Sequence, residues 1–471
     1  MTRNKPLVFL LLAACAGLPA AAQSQDQWTG TWLGNLKAGA LSLRLVFNIS
    51  VTNGALSGTM DSPDQGAKGI PVSKVTTNGN AVTLEVAVAN ASFSGTLAAD
   101  GKIMDGAWSQ SGQKFPLLLE RQAGAFVLER PQEPKEPFPY KVVGVAFKSP
   151  KAGIELAGTL TIPSGKGPFP AVVLVTGSGA QNRDEELMGH KPFAVIADYL
   201  SRNGIAVLRY DDRGFAGSKG DFASATTLDF ADDAEAAFTF MSSRPEVDAR
   251  HVGIVGHSEG GLIAPMVAAR NPKVGFIVLL AGPGLAGKDV LLTQDEAMAI
   301  ASGMDPRIAA DGTKVNRQIY SILAGPGDAA ANAAEAKRIY FQAIDSEEGL
   351  TDQQREAAKA SIDQAIAQLQ TPWMKTFLAI NPAEYLRKVR IPVLALNGSR
   401  DLQVIADQNL SAVDAALKEA GNTRYRIVKL DGLNHLFQHA VTGLPEEYGK
   451  ITETFAPEAL SLMKDFILSV K

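Results

Sequence analysis

The sequence predicts an α/β protein: a mostly parallel eight-stranded sheet covered by helices and carrying a helical insertion, preceded by a small all-β domain. Three observations carry this. Beyond residue 140, short apolar runs such as Ala171-Val172-Val173-Leu174-Val175 alternate with stretches of helical period, the pattern of buried parallel strands joined by helices. Over residues 285–390 the alternation stops, and the chain is Ala-rich and helical with no buried strand. Before residue 121, apolar residues recur at every second position, as in half-buried strands.

A chain of 471 residues has room for about three domains. A net charge of -4 gives no electrostatic reason to expect nucleic acid or anionic lipid as a partner. After residue 25 no apolar run approaches the length of a transmembrane helix, so no membrane span is expected. Residues 1–22 read as a secretory signal: Arg3 and Lys5 supply the positive start, residues 7–14 the apolar core, and Ala20-Ala21-Ala22 the small-residue cleavage site before Gln23. A competing pattern, Leu12-Ala13-Ala14-Cys15, resembles a bacterial lipobox, which would leave a lipoprotein anchored through Cys15. Cys15 is the single cysteine, so on either route the mature protein has no internal disulfide. The expectation is an exported protein of a bacterial envelope, periplasmic or secreted.

Residues 23–125 form the expected β domain. Leu41, Leu43, Leu45, Phe47 and Ile49 alternate with polar neighbours, as do Val82, Leu84, Val86 and Val88, and then Phe115, Leu117 and Leu119. Asn53-Gly54, Asn78-Gly79 and Asp100-Gly101 supply turns between the runs. A small antiparallel sheet or barrel of roughly seven strands follows. Trp28, Trp32 and Trp108 are assigned to its core rather than to a ligand. Residues 126–139 are rich in proline and predict a stiff extended linker.

Residues 140–471 carry the alternation. Residues 142–147 and 156–162 read as a leading strand pair, and Phe193, Ile196, Ala197 and Leu200 share one helix face. Strands are expected at 205–208, 252–255, 276–280, 392–396 and 424–430, with helices at 228–241 and 262–270 and a closing helix near the C-terminus. The helical block 285–390 falls between two sheet strands, where a lid over an active site would sit.

One turn in this region carries chemistry. Gly256-His257-Ser258-Glu259-Gly260 lies between an apolar strand and a helix, the context of a G-x-S-x-G nucleophile elbow. With 44 glycines in the chain, the five-residue pattern alone arises by chance; the strand before it and the helix after it give it meaning. The plain alternative is a tight turn whose serine caps the helix. A serine nucleophile needs a base, usually histidine, and there are five candidates. His257 adjoins the serine but points elsewhere, and His251 lies at the far end of the strand. His439 falls at an expected helix start, and His190 is assigned a structural or substrate-contacting role. His435 lies in the loop after the last strand, and in a parallel sheet such loops share one edge with the elbow. Asp401 follows residues 392–396 at the same edge, with Asp407 as the fallback. The order Ser258, Asp401, His435 is that of an α/β-hydrolase. Backbone N–H groups of Glu259 and Ser178 are the expected oxyanion donors. Trp373 and Phe377 offer an apolar wall for an acyl chain.

The run Thr176-Gly177-Ser178-Gly179-Ala180-Gln181-Asn182-Arg183-Asp184-Glu185, with Gly189-His190-Lys191-Pro192-Phe193, Arg209-Tyr210-Asp211-Asp212-Arg213-Gly214 and the elbow, resembles bacterial α/β-hydrolases described as serine-aminopeptidase S33-like, among them EstD-like carboxylesterases. The resemblance spans residues 140–471. It implies Ser258, Asp401 and His435 as the triad and carboxylic esters as preferred substrates. No metal-ligating cluster or cofactor loop is apparent in the sequence, and this chemistry requires neither metal nor cofactor. The leading expectation is a secreted carboxylesterase that cleaves short to medium acyl esters of small molecules through an acyl-enzyme. A peptidase or aminopeptidase on the same fold is the first alternative, with Asp295, Glu296, Asp305 and Asp345 of the lid as candidate ammonium partners. A binding protein on an inactive hydrolase scaffold is the second.

Overall fold

The structure, a computed structural model, describes residues 25–38, 41–347 and 349–470. The expected signal segment and Cys15 lie outside the described residues. The chain divides into two compact units at Val127 and Leu128, with Asp64–Gly66 counted in the second.

The first unit is one antiparallel sheet of nine strands: β1 (Gly30–Ala38), β2 (Leu41–Thr52), β3 (Ala55–Ser62), β4 (Ala67–Val72), β5 (Lys74–Asn78), β6 (Ala81–Val86), β7 (Ala91–Leu97), β8 (Ile103–Gln110) and β9 (Gln113–Arg121). Their order is β4-β3-β2-β1-β9-β8-β7-β6-β5. This exceeds the roughly seven expected. The short strands are hard to read because β4 contains Gly69 and Pro71, and β5 exposes nearly every side chain. Trp28, Trp32 and Trp108 are buried beside Phe47 and Phe93. Met60 and Val72 from one side of the sheet join Val82, Leu84 and Val86 from the other in the same core, so the sheet curls around it.

The second unit starts earlier than the proline pattern predicts. From Leu128 onward the supposed spacer is docked. Arg130 is buried and donates to the carbonyls of Met188 (3.1 Å), Gly449 (2.8 Å) and Ile451 (3.0 Å). The Gln132 side chain donates to the Phe455 carbonyl at 2.7 Å and accepts from the Thr454 N–H at 2.6 Å. Proline excludes helix and central strand, but it does not prevent intervening side chains from anchoring the segment.

Strands β10 (Lys141–Ser149), β11 (Ile154–Ile162) and β12 (Phe169–Val175) lead into α1 (Pro192–Arg202), β13 (Ala206–Tyr210) and α2 (Thr227–Ser242). Then come β14 (Val247–His257), α3 (Glu259–Arg270) and β15 (Phe276–Leu280). Six helices follow: α4 (Gly287–Ala301), α5 (Pro306–Leu323), α6 (Ala329–Ser346), α7 (Asp352–Leu369), α8 (Pro372–Ala379) and α9 (Ala383–Leu386). The chain closes with β16 (Val393–Gly398), α10 (Ala406–Glu419), β17 (Tyr425–Leu430), α11 (Pro445–Tyr448) and α12 (Pro457–Ser469).

The eight-stranded sheet runs β10-β11-β13-β12-β14-β15-β16-β17. It is mixed. β11 pairs antiparallel with both β10 and β13, and the remaining pairs are parallel. Successive residues of a strand point to opposite faces, so Val173 and Val175 enter one core with Ile254 and Leu279, while Val172 and Leu174 enter another with Val255 and Val278. Both faces are therefore covered, which is why the strands read as unbroken apolar runs. The helical insertion has its own core, in which Leu292, Ile319, Leu323, Ile362 and Ile366 meet.

Candidate active site

β14 turns directly into α3 at Ser258. Its backbone sits at φ 53° and ψ -117°, a conformation that costs about 1–3 kcal/mol for a residue with a side chain. The surroundings hold it there: the Ser258 N–H donates to the Leu280 carbonyl at 2.8 Å, and its own carbonyl accepts from the Gly261 N–H at 2.8 Å. The flanking glycines are demanded by contact. A Cβ on Gly256 would fall 1.9 Å from the Gly260 carbonyl oxygen, and one on Gly260 would fall 2.2 Å from that of Val175. Ser258 itself is half-buried.

His435 and Asp401 arrive from the loops after β17 and β16. Nδ1 of His435 is 2.9 Å from Oδ2 of Asp401, and both side chains are buried. Oδ1 of Asp401 accepts the N–H groups of Gln403 (2.8 Å) and Val404 (2.9 Å), which fixes the carboxylate. Asp407 is excluded, because its side chain is 79% exposed and pairs with Lys429. The backbone carbonyl of His435 accepts from Nε2 of His257 at 2.9 Å, and the two imidazole rings lie 4.9 Å apart. That contact brings His435 beside the elbow. No hydrogen bond joins Ser258 Oγ to His435 among the described residues; such contacts are often long in resting enzymes and tighten when substrate binds.

The glycine-rich loop after β12 closes on the serine. A Cβ on Gly177 would come within 3.1 Å of the Ser258 Cβ. The Gly177 N–H is taken, donating to Glu185 Oε1 at 2.7 Å. The Ser178 N–H finds no acceptor among the described residues, and Ser178 is exposed. The Glu259 N–H is likewise free among the described residues, as expected for the first residue of a helix.

Sequence reasoning missed a set of buried acids behind this loop. Oδ1 of Asp212 accepts from Thr176 Oγ1 and Oδ2 from the Gln181 N–H, both at 2.8 Å. Burial pushes the Asp212 carboxyl up to about 8 against these hydrogen bonds, and the charges of Glu259 and Glu185 add to the effect. The Glu259 side chain is buried, and its Oε1 accepts from Thr227 Oγ1 (2.6 Å) and Trp373 Nε1 (2.9 Å). Burial raises its pKa, and both hydrogen bonds oppose that. Part of the signal was present: Asp211-Asp212 directly follows the buried strand β13, and Asp184-Glu185 lies further along the loop after β12, at the same edge as the elbow.

Of the expected substrate contacts, Trp373 reaches the site through Glu259 and stacks on Phe377, with centroids 5.3 Å apart. Phe377 is buried in the main core and supports Trp373. His190 is corrected. It is only 1% exposed, with Nδ1 on Thr454 Oγ1 and Nε2 on the Tyr448 carbonyl, each at 2.9 Å. Both ring nitrogens are used in packing the Arg130 region, so none remains for substrate. His251 binds the Ile467 carbonyl at 2.8 Å. His439 lies in a loop bridged to Leu433, not at a helix start, and pairs with Glu453 and Glu458.

A family model described as X-Pro dipeptidyl-peptidase (S15 family) matches residues 152–439. The chain belongs to the S15 family. The S33-like label suggested by the motifs is not the one that matches, whereas the kinship to EstD is direct. This S15 protein is 30% identical over 286 residues to Esterase EstD of Thermotoga maritima, covering 60% of this chain and 58% of that relative. It is also 32% identical over 119 residues to polyketide transferase claH of Penicillium crustosum, covering 23% of this chain and 38% of that one. It thus spans under two thirds of either relative's length. A structure of the Pyrococcus furiosus esterase Pf2001 aligns with TM-score 0.44 and 16% identity, over 73% of this chain and 98% of that one.

Proposed function

We propose that this S15-family protein is an exported serine carboxylesterase that cleaves short to medium acyl esters through an acyl-enzyme on Ser258. One observation carries the reading: His435 and Asp401, from separate loops, meet at 2.9 Å on the strand edge that also presents a strained elbow serine. Asp401 holds Nδ1 of His435 and so leaves Nε2 to take the serine proton. Ser258 Oγ attacks the ester carbonyl as His435 accepts that proton. The oxyanion that forms is met by the N–H groups of Glu259 and Ser178, each worth about 10²–10³ in turnover. The alkoxide leaves with the proton from His435, and water, activated by the same imidazole, releases the acid. The relationship to a protein named an esterase supports ester over amide. Export rests on the character of residues 1–22.

The family description favours a second reading, peptide hydrolysis. An aminopeptidase needs a carboxylate free to hold the substrate ammonium. Three of the four lid candidates are engaged: Asp295 with Tyr320 and Asn316, Asp305 with Arg307, and Asp345 with Lys359. A panel of p-nitrophenyl esters of increasing chain length, run beside aminoacyl and X-Pro anilides, tests the choice with wild type and Ser258→Ala. Ester turnover lost in Ser258→Ala supports the esterase; faster turnover of an X-Pro anilide replaces it with the peptidase.

A further inference from the structure

The elbow holds a second acid–histidine pair that the triad does not use. Glu185 and His257 are buried, and Oε1 of Glu185 is 2.9 Å from Nδ1 of His257. The same Oε1 accepts the Gly177 N–H at 2.7 Å. On the other side of the ring, Nε2 of His257 is 2.9 Å from the His435 carbonyl. One continuous chain of contacts therefore runs from the loop that bears Ser178, through Glu185 and His257, to the backbone of His435. Glu185 holds a left-handed φ of 50°, which costs a non-glycine residue energy and is retained where surroundings over-determine it.

We propose that Glu185 and His257 form a positioning couple that locks the oxyanion loop and the catalytic imidazole into one frame. The inference rests on the Ser258 esterase reading. A carboxylate and a carbonyl both accept, so filling both contacts requires a proton on each ring nitrogen of His257. The resident state is a buried imidazolium–carboxylate pair beside the elbow. Burial pulls the His257 pKa down, but the charge and hydrogen bond of Glu185, with the His435 carbonyl, leave it above the usual histidine value. Asp401 adds in the same direction from the loop after β16. Glu185 faces the ring from the loop after β12, the His435 ring from the loop after β17, and Asp212, from the loop after β13, lies close enough to feel the charge of Glu185.

The couple positions without touching substrate, so its loss lowers kcat and leaves KM nearly unchanged. In the full-length protein, Glu185→Ala should reduce kcat for p-nitrophenyl acetate by about 10²–10³, the scale of one misplaced oxyanion donor, with KM little changed. Glu185→Asp, which keeps the carboxylate, should recover part of the lost kcat. Unchanged kcat in a folded Glu185→Ala, beside an inactive Ser258→Ala, would overturn the couple alone; an active Ser258→Ala would overturn the reading beneath it. Should Glu185→Ala not fold, nitrogen-15 NMR of histidine-labelled wild type decides the matter. Both ring nitrogens of His257 protonated at neutral pH supports the couple, and one bare nitrogen refutes it.

Discussion

The indole N–H of Trp373, on α8 of the insertion, donates to the carboxylate of Glu259 at 2.9 Å, one residue beyond the elbow serine. The insertion and the elbow therefore share a residue: the Glu259 backbone opens α3, and its side chain holds Trp373. Thr227 at the start of α2 clamps the same oxygen at 2.6 Å, so the carboxylate is held from two sides.

Trp373→Ala removes this tether and the stack on Phe377. The expected result is weaker discrimination among acyl chain lengths, seen as kcat/KM values for butyrate and octanoate esters drawing together, with acetate hydrolysis changed less. Trp373→Phe keeps the apolar wall and loses the hydrogen bond. Chain-length preference retained in Trp373→Phe assigns the effect to the wall; preference lost in both assigns it to the tether.

Asp401→Asn should keep the fold and lower turnover by about 10⁴, the scale seen when a triad carboxylate is neutralised. Asp407→Asn should change it little, because that side chain sits on the surface with Lys429. Circular dichroism and ester kinetics on the two proteins check the pair. Damage from Asp407→Asn with Asp401→Asn spared would reverse the assignment.

His190 predicts how stability depends on pH. Burial, helped by the nearby charge of Arg130, lowers its pKa from 6.5 to about 4. The folded state thus favours the neutral ring. Its contribution is fully present above the unfolded pKa and is lost as pH falls through the window from about 6.5 to about 4. Urea unfolding at pH 7 and pH 5 should differ by about 2 kcal/mol from this residue, because each tenfold change in proton affinity is worth about 1.4 kcal/mol. His190→Gln should show a smaller difference between the two pH values. An equal difference in both proteins would assign the effect to other groups.

Much of this site was legible because its chemistry follows strand ends. Buried apolar runs locate β12, β14 and β16, the mixed stretch 424–430 supplies the last strand, and the rule that their loops share an edge places Ser258, Asp401 and His435 together. Of the two roles offered for His190, structural or substrate-contacting, the second fails for a related reason. The residue lies in a loop on that edge, but nothing in its neighbourhood reveals that Thr454 and Tyr448, more than 250 residues away, occupy both ring nitrogens. Glu185 and Asp212 escaped because a buried acid and a solvated one look alike in sequence; only tertiary packing separates them. The docked segment after Leu128 was hidden by its prolines, which announce what a stretch cannot form and say nothing of where Arg130 and Gln132 reach.

That segment sets the last prediction. A boundary drawn from proline content alone would cut near Lys135, discarding Arg130 and Gln132. Arg130 supplies the donors that the Met188, Gly449 and Ile451 carbonyls accept, and Gln132 satisfies the Thr454 N–H. Hydrogen bonds to a charged group contribute about 1.5–3 kcal/mol, and the freed carbonyls must then find water. A protein beginning at Leu128 should therefore fold and hydrolyse p-nitrophenyl acetate with a kcat close to that of the full chain, since Ser258, Asp401 and His435 all lie beyond it. One beginning at Lys135 should unfold at lower urea concentration, by an amount equivalent to about 3 kcal/mol, and His190, packed against the same loop, should lose part of its burial and regain a more ordinary pKa. Arg130→Ala in the full chain should reproduce most of that loss. Equal stability of the two truncated proteins would show that the docked contacts contribute nothing. A folded but inactive protein beginning at Leu128 would instead assign a catalytic contribution to the residues before it, Asp64–Gly66 among them.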